Sequence, residues 1–196
     1  MARFSRYFVV PPRRRKSAGI VAANFFSEPF YSELRTRQQL GYIVGSNASA
    51  SLRQRYFTFI VQSSVYPPDE VRTRAEKMIA TLPAALAATT DEQWKTLVAG
   101  ARSTLEEKTK SIKEKAELFF AEAYEYGGDW SRRQDALAAL DTLTREKAVA
   151  LMTATLSPET ARRRTVLLYT KTKPPTTDLK PLFAEREAWK STRRYQ

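Results

Sequence analysis

The sequence predicts an α+β fold, an antiparallel sheet packed against several helices. Three observations predict it. Strand-like segments lie at the start, in the middle and near the end, and the helical patterns cluster between them. The two middle strands follow one another across a short polar stretch, which suits an antiparallel hairpin. Strands and helices do not alternate one by one, as a doubly wound parallel sheet requires.

Phe4 to Val10 reads as a short strand closed by Pro11-Pro12, and the run Arg13-Arg14-Arg15-Lys16 follows as a basic loop. From Ser17 to about Gln38 the pattern is helical, and Pro29 is expected to break or kink it into two pieces. Gly41 is expected to stop the second piece, as glycine commonly does just past a helix. Tyr42-Ile43-Val44 opens a strand that runs to about Leu52. Arg55 to Ser63 alternates, with Phe57, Phe59 and Val61 on one face and Tyr56, Thr58, Ile60 and Gln62 on the other. Apolar on both sides, it reads as a central strand.

Pro67-Pro68-Asp69-Glu70 starts a helix, with proline and acids in its first turn, and Val71, Ala75, Met78, Ile79 and Leu82 form one face. Thr90 with Gln93 is a capping-box pattern that opens a helix towards Lys110. Leu118, Phe119, Ala123 and Tyr124 mark another, closed by Gly127-Gly128. A short helix spans Ser131 to Leu140, and Thr144 caps one that carries Val149, Leu151, Met152 and Leu156. Thr165 to Thr170 is the last strand. Residues 1–173 are expected to form a single domain, with 174–196 a basic tail.

Composition narrows the chemistry. The 196 residues contain no cysteine and no histidine. That excludes a disulfide framework, a thiol nucleophile, a Ser-His pair and any zinc site built on imidazole or thiolate. The lack of cysteine is compatible with a reducing compartment, and a cytoplasmic location is the expectation. No apolar run approaches the ~20 residues of a membrane-spanning helix. The net charge is +12, partly clustered at Arg13 to Lys16 and at Arg162-Arg163-Arg164. No nucleic-acid motif accompanies these runs, so they read as solvated loops and no nucleic-acid partner is expected. No phosphate-cradling glycine loop is present. Glu106 and Glu107 diverge by about 100° on a helix and form no carboxylate pair. Aromatic residues at helical spacing read as core.

One segment stands apart, Glu28-Pro29-Phe30-Tyr31-Ser32-Glu33-Leu34-Arg35-Thr36-Arg37-Gln38-Gln39-Leu40-Gly41-Tyr42-Ile43-Val44. It places Arg35 near a helix end and Tyr42 just past a glycine turn, at the start of a strand. Such a corner can aim a fork of guanidinium donors and a phenol hydroxyl at one ligand. The other reading of the spacing is that Arg35 caps helix carbonyls and Tyr42 fills the core.

The segment resembles the helix-to-strand motif in the C-terminal half of the M16 metallopeptidases, the pitrilysin and insulin-degrading-enzyme type. The match is carried by Glu28-Pro29, Phe30, Leu34-Arg35-Thr36, Gln39-Leu40-Gly41-Tyr42 and Val44. It extends through Phe59 to Ser63, Pro67-Pro68 and the helices to about Leu156. The resemblance implies an enzyme built of four homologous α+β domains around a chamber, with zinc in the first, held by an inverted HxxEH motif. Lacking histidine, this chain is expected to be the last of the four, truncated at its N-terminus and inactive alone. It is expected to hold no cofactor itself and to partner a zinc-bearing N-terminal half, in the same or another polypeptide. By the same resemblance Arg35 and Tyr42 contact peptide substrate, and the Tyr42 hydroxyl helps hold the oxyanion as the peptide bond is hydrolysed. The alternative is a non-catalytic M16-like scaffold or peptide-binding subunit.

Overall fold

The computed structural model describes residues 2–10, 16–51, 54–157, 163–170, 188 and 191. The expected basic loop at Arg13 to Lys16 lies outside these residues except for Lys16, which instead opens the first helix, and the expected tail lies outside them apart from Ala188 and Ser191.

Four antiparallel strands form one sheet in the order β2-β3-β1-β4. They are β1 (Ala2–Val10), β2 (Ile43–Ser51), β3 (Gln54–Ser63) and β4 (Arg163–Leu168). β2 and β3 form the expected hairpin, with Val44 opposite Val61 and Ser51 opposite Gln54. β1 lies between β3 and β4, pairing Phe4 with Val61 on one side and with Leu167 on the other. β3 is internal, as its two apolar sides require.

Six α-helices lie among the described residues: α1 (Lys16–Tyr31), α2 (Pro68–Ala87), α3 (Asp91–Glu106), α4 (Ile112–Phe120), α5 (Arg132–Asp141) and α6 (Arg145–Leu156). Alternation along β1 and β3 puts Phe4, Phe8, Phe57, Phe59 and Val61 on one face, all buried in one cluster with Phe26 and Phe30 of α1 and with Leu34 just beyond it. Phe59 sits at its middle, with ring centroids 5.0 Å from Phe26, 5.0 Å from Phe30 and 5.9 Å from Phe8. The opposite face carries half-buried Tyr7, Tyr56, Ile60 and Gln62.

The α3 capping box forms as its pattern requires. Gln93 N–H donates to Thr90 Oγ1 at 3.2 Å, and Thr90 N–H donates to Gln93 Oε1 at 2.9 Å.

Three expectations are corrected. Pro29 does not break the helix: α1 runs through it to Tyr31, held by the buried Phe26 and Phe30 on either side. The chain then widens into a π-helical turn at Ser32–Arg37. Second, α3 stops at Glu106 rather than near Lys110, because Glu107 is extended at ψ 125°. Third, not all aromatics at helical spacing are core. Phe119, Phe120 and Tyr124, on α4 and the π-helical turn Ala121–Glu125 that continues it, are exposed, because α4 has no buried residue. Beyond these, β1 places an arginine in the core face. Arg6 is buried between Phe4 and Phe8, pairs with Glu76 of α2, and donates through Nε to Thr165 Oγ1 at 3.0 Å. That ion pair satisfies a charge that would otherwise be costly to bury.

Candidate functional site

The site follows from how α1 ends. Leu34 and Leu40 are fully buried and anchor both limbs of the corner. Between them Gln38 N–H donates to Glu33 O at 2.9 Å, and Leu40 N–H donates to Leu34 O at 2.9 Å. Gln39 takes the left-handed conformation, with φ 50°. The expected role of Gly41 as the left-handed stop is thus filled by Gln39. Gly41 is needed for a different reason, a close approach of two backbones. A Cβ there would lie 1.9 Å from Gln62 O and 2.7 Å from Gln62 C on β3. The corner is pressed against the end of the central strand, and only glycine fits.

This contact throws Tyr42 outwards. Its exposure is 79%, so it does not fill the core. Arg35 lies on the same side, its guanidinium 5.5 Å from the Tyr42 ring centroid, a cation–π contact. Among the described residues neither the Arg35 guanidinium nor the Tyr42 hydroxyl has a hydrogen-bond or ion-pair partner. The neighbouring Arg37, by contrast, pairs with Glu33 at 3.3 Å. Arg35 therefore does not cap helix carbonyls. The two side chains border a shallow recess of about 550 Å³ completed by Tyr31, Thr36, Gln39, Gly41, Ser64 and Val65. Donors without partners, at the rim of a recess, are free to bind an acceptor such as a peptide carbonyl.

No site among the described residues fits zinc. The sequence offers no histidine or cysteine, and among the described residues no group of three or more aspartates and glutamates is placed to hold a metal. Glu106 and Glu107 turn to separate cations, Arg102 and Lys110.

The family described as PQQ synthase PqqF-like, C-terminal lobe domain 4, matches residues 21–120, more than half of the chain. The chain belongs to that family of M16 C-terminal domains. It is similar to human insulin-degrading enzyme, 27% identical over 143 residues, which is 73% of this chain and 14% of that protein. It is similar to a nardilysin-like protein of Arabidopsis thaliana, 30% identical over 111 residues, 54% of this chain and 11% of that protein. The chain thus spans about a seventh of these relatives or less. In structure it resembles pitrilysin, with a TM-score of 0.78 and 17% identity over 91% of this chain and 20% of that one. The inactive peptidase domain of a putative zinc protease from Bordetella parapertussis superposes with a TM-score of 0.67 and 12% identity, over 91% of this chain and 95% of that one. These structural likenesses establish the antiparallel α+β fold.

The sequence motif thus brought the two donors to one corner. Missing from the sequence reading were Gln39 as the turn residue and Ser64-Val65 as the far wall of the recess. The signal for the second was the end of β3 at Gln62 and Ser63, against which Gly41 packs.

Proposed function

We propose that this domain supplies Arg35 and Tyr42 to a peptidase site whose zinc lies in another domain. One observation carries the reading: two donors without partners stand together at the rim of an open recess, on a corner fixed by Gly41. The chain's place among the M16 C-terminal domains supports it.

The chemistry assigned to this chain is binding and charge stabilisation. The Arg35 guanidinium donates to a backbone carbonyl of an extended peptide lying across the recess. The Tyr42 hydroxyl donates to the oxygen of the scissile carbonyl, most strongly as that oxygen gains negative charge. A donor aimed at developing charge contributes more in the transition state than in the ground state, and so raises kcat rather than only lowering KM. The hydrolytic metal chemistry belongs to the zinc-bearing partner. Closure of the two halves excludes water around the peptide.

The test is Tyr42→Phe in the zinc-bearing enzyme. It removes one hydroxyl from an exposed ring and leaves the fold intact. The expected loss in kcat is about 10²-fold, with a smaller change in KM. A kcat equal to that of the parent removes the assigned role.

A further inference from the structure

A second cluster lies at the opposite end of α1, about 28 Å from Arg35 along the helix at 1.5 Å per residue. Lys16 opens α1, and the Ser17 hydroxyl donates to the Ala136 carbonyl of α5, tying that end of α1 beside the start of α5. This brings Lys16 towards Arg132 and Arg133 of α5 and Arg55 of β3. Arg132 is spoken for. Its side chain is 15% exposed, donates to both Glu122 oxygens at 3.1 Å, and stacks on Tyr126. Arg133 donates to the Glu107 carbonyl at 2.9 Å. Lys16 and Arg55 differ. Both are half-buried, and among the described residues neither side chain has a hydrogen bond or ion pair. The nearby carboxylate, Glu122, already serves Arg132. The first turn of α1 contains no acid to offset its positive end. Among the described residues these two partly desolvated cations have no carboxylate of their own, only Glu122 nearby, and that carries an electrostatic cost that a carboxylate ligand would relieve.

Apolar surface lies on the segments that carry Glu122 and lead to Arg132. α4 and the turn after it expose Phe119 (49%), Phe120 (60%) and Tyr124 (77%), and Trp130 (57%) stands two residues before Arg132. Phe119 meets Trp130 edge-on at 5.9 Å, and Phe120 lies against Tyr124 at 4.7 Å. Exposed, paired aromatics of this kind mark an interaction surface.

We propose that this surface docks an acidic, apolar peptide segment of a partner polypeptide. Its carboxylates pair with Lys16 and Arg55, and its apolar side chains cover Phe119 and Trp130. Charge complementarity selects this occupant over a purely apolar one, because burying an unmatched apolar segment there would desolvate both cations further. Burial, with the surrounding arginines adding to the effect, pushes Lys16 down to about 8, so a carboxylate paired with the charged ammonium relieves that penalty.

The experiment titrates the whole chain against a fluorescein-labelled twelve-residue peptide alternating Glu with Leu and Phe, read by anisotropy. Controls are the same peptide with Gln in place of Glu, and a single-stranded oligothymidylate. The Glu peptide is expected to bind about tenfold or more tightly than the Gln peptide. Lys16→Gln with Arg55→Gln is expected to weaken it about tenfold. Trp130→Ala, at an exposed position that leaves the melting temperature unchanged, is expected to weaken it severalfold. Tyr42→Phe is expected to leave binding unaltered, so this result and that of the peptidase test are independent. Equal affinity for both peptides, or parent-like binding by Trp130→Ala and by the double variant, overturns the proposal. So does an oligothymidylate that binds more tightly than the Glu peptide and loses its affinity in the double variant.

Discussion

Gly41→Ala perturbs the backbone contact that aims Tyr42. The added Cβ would lie 1.9 Å from Gln62 O, 2.7 Å from Gln62 C and 3.0 Å from Ser63 Cα. Unstrained contacts between such atoms lie near 3.5 Å, so the corner and the strand must separate by more than about 1 Å. The obstructing atoms are backbone of an internal strand, paired to β1 and β2, and cannot swing aside as a side chain would. The cost is at the upper end of overpacking, about 3 kcal/mol. For a chain of this size that lowers Tm by roughly 6–12 °C. Gly45→Ala is the internal control. It changes the same residue type four positions later, and its added Cβ meets nothing within 4 Å. It should leave Tm unchanged or slightly raised, since alanine loses less backbone entropy in a strand. Thermal unfolding followed by circular dichroism measures both. A Gly41→Ala variant that melts within about 2 °C of the parent refutes the close-approach argument. So does a Gly45→Ala variant that loses as much as Gly41→Ala.

Two further outcomes follow from packing and charge. Phe59→Ala removes a ring that is fully buried among Phe8, Phe26 and Phe30, and should cost about 3–5 kcal/mol in denaturant unfolding. Lys16 gives a pH signature. Burial and nearby arginines lower it from 10.5 to about 8, so between those pH values the unfolded chain holds more protons and stability rises with pH. The penalty is present in full below pH 8. Discounted for partial exposure it is about 1–2 kcal/mol. Lys16→Gln should therefore gain stability at pH 7, and the gain should vanish by about pH 10.5. A difference between variant and parent that does not change with pH contradicts this.

Much of the fold was legible in the sequence, because local chemistry and tertiary packing agree there. The alternation of Phe57, Phe59 and Val61 with Tyr56, Thr58 and Ile60 marks an internal strand, and Thr90 with Gln93 marks a cap, whatever surrounds them. The departures arise where distant contacts decide. Pro29 weakens a helix locally, yet Phe26 and Phe30 hold it in the core. Arg6 looks like a surface residue of a strand until α2 brings Glu76 to it. Tyr42 could be core or ligand on spacing alone. What decides is the approach of Gly41 to Gln62, between residues far apart in sequence. The α4 aromatics have the spacing of a core face, but among the described residues they remain exposed.

On the proposed function, this domain contributes to hydrolysis through Tyr42 while the metal resides elsewhere. The most direct measurement adds the purified chain to the zinc-bearing half of the enzyme from the same source and follows cleavage of a quenched fluorescent peptide. The chain alone is expected to be inactive, the parent chain to stimulate cleavage, and the Tyr42→Phe chain to bind the half equally well but stimulate about 10²-fold less. Equal stimulation by the Tyr42→Phe chain would contradict it.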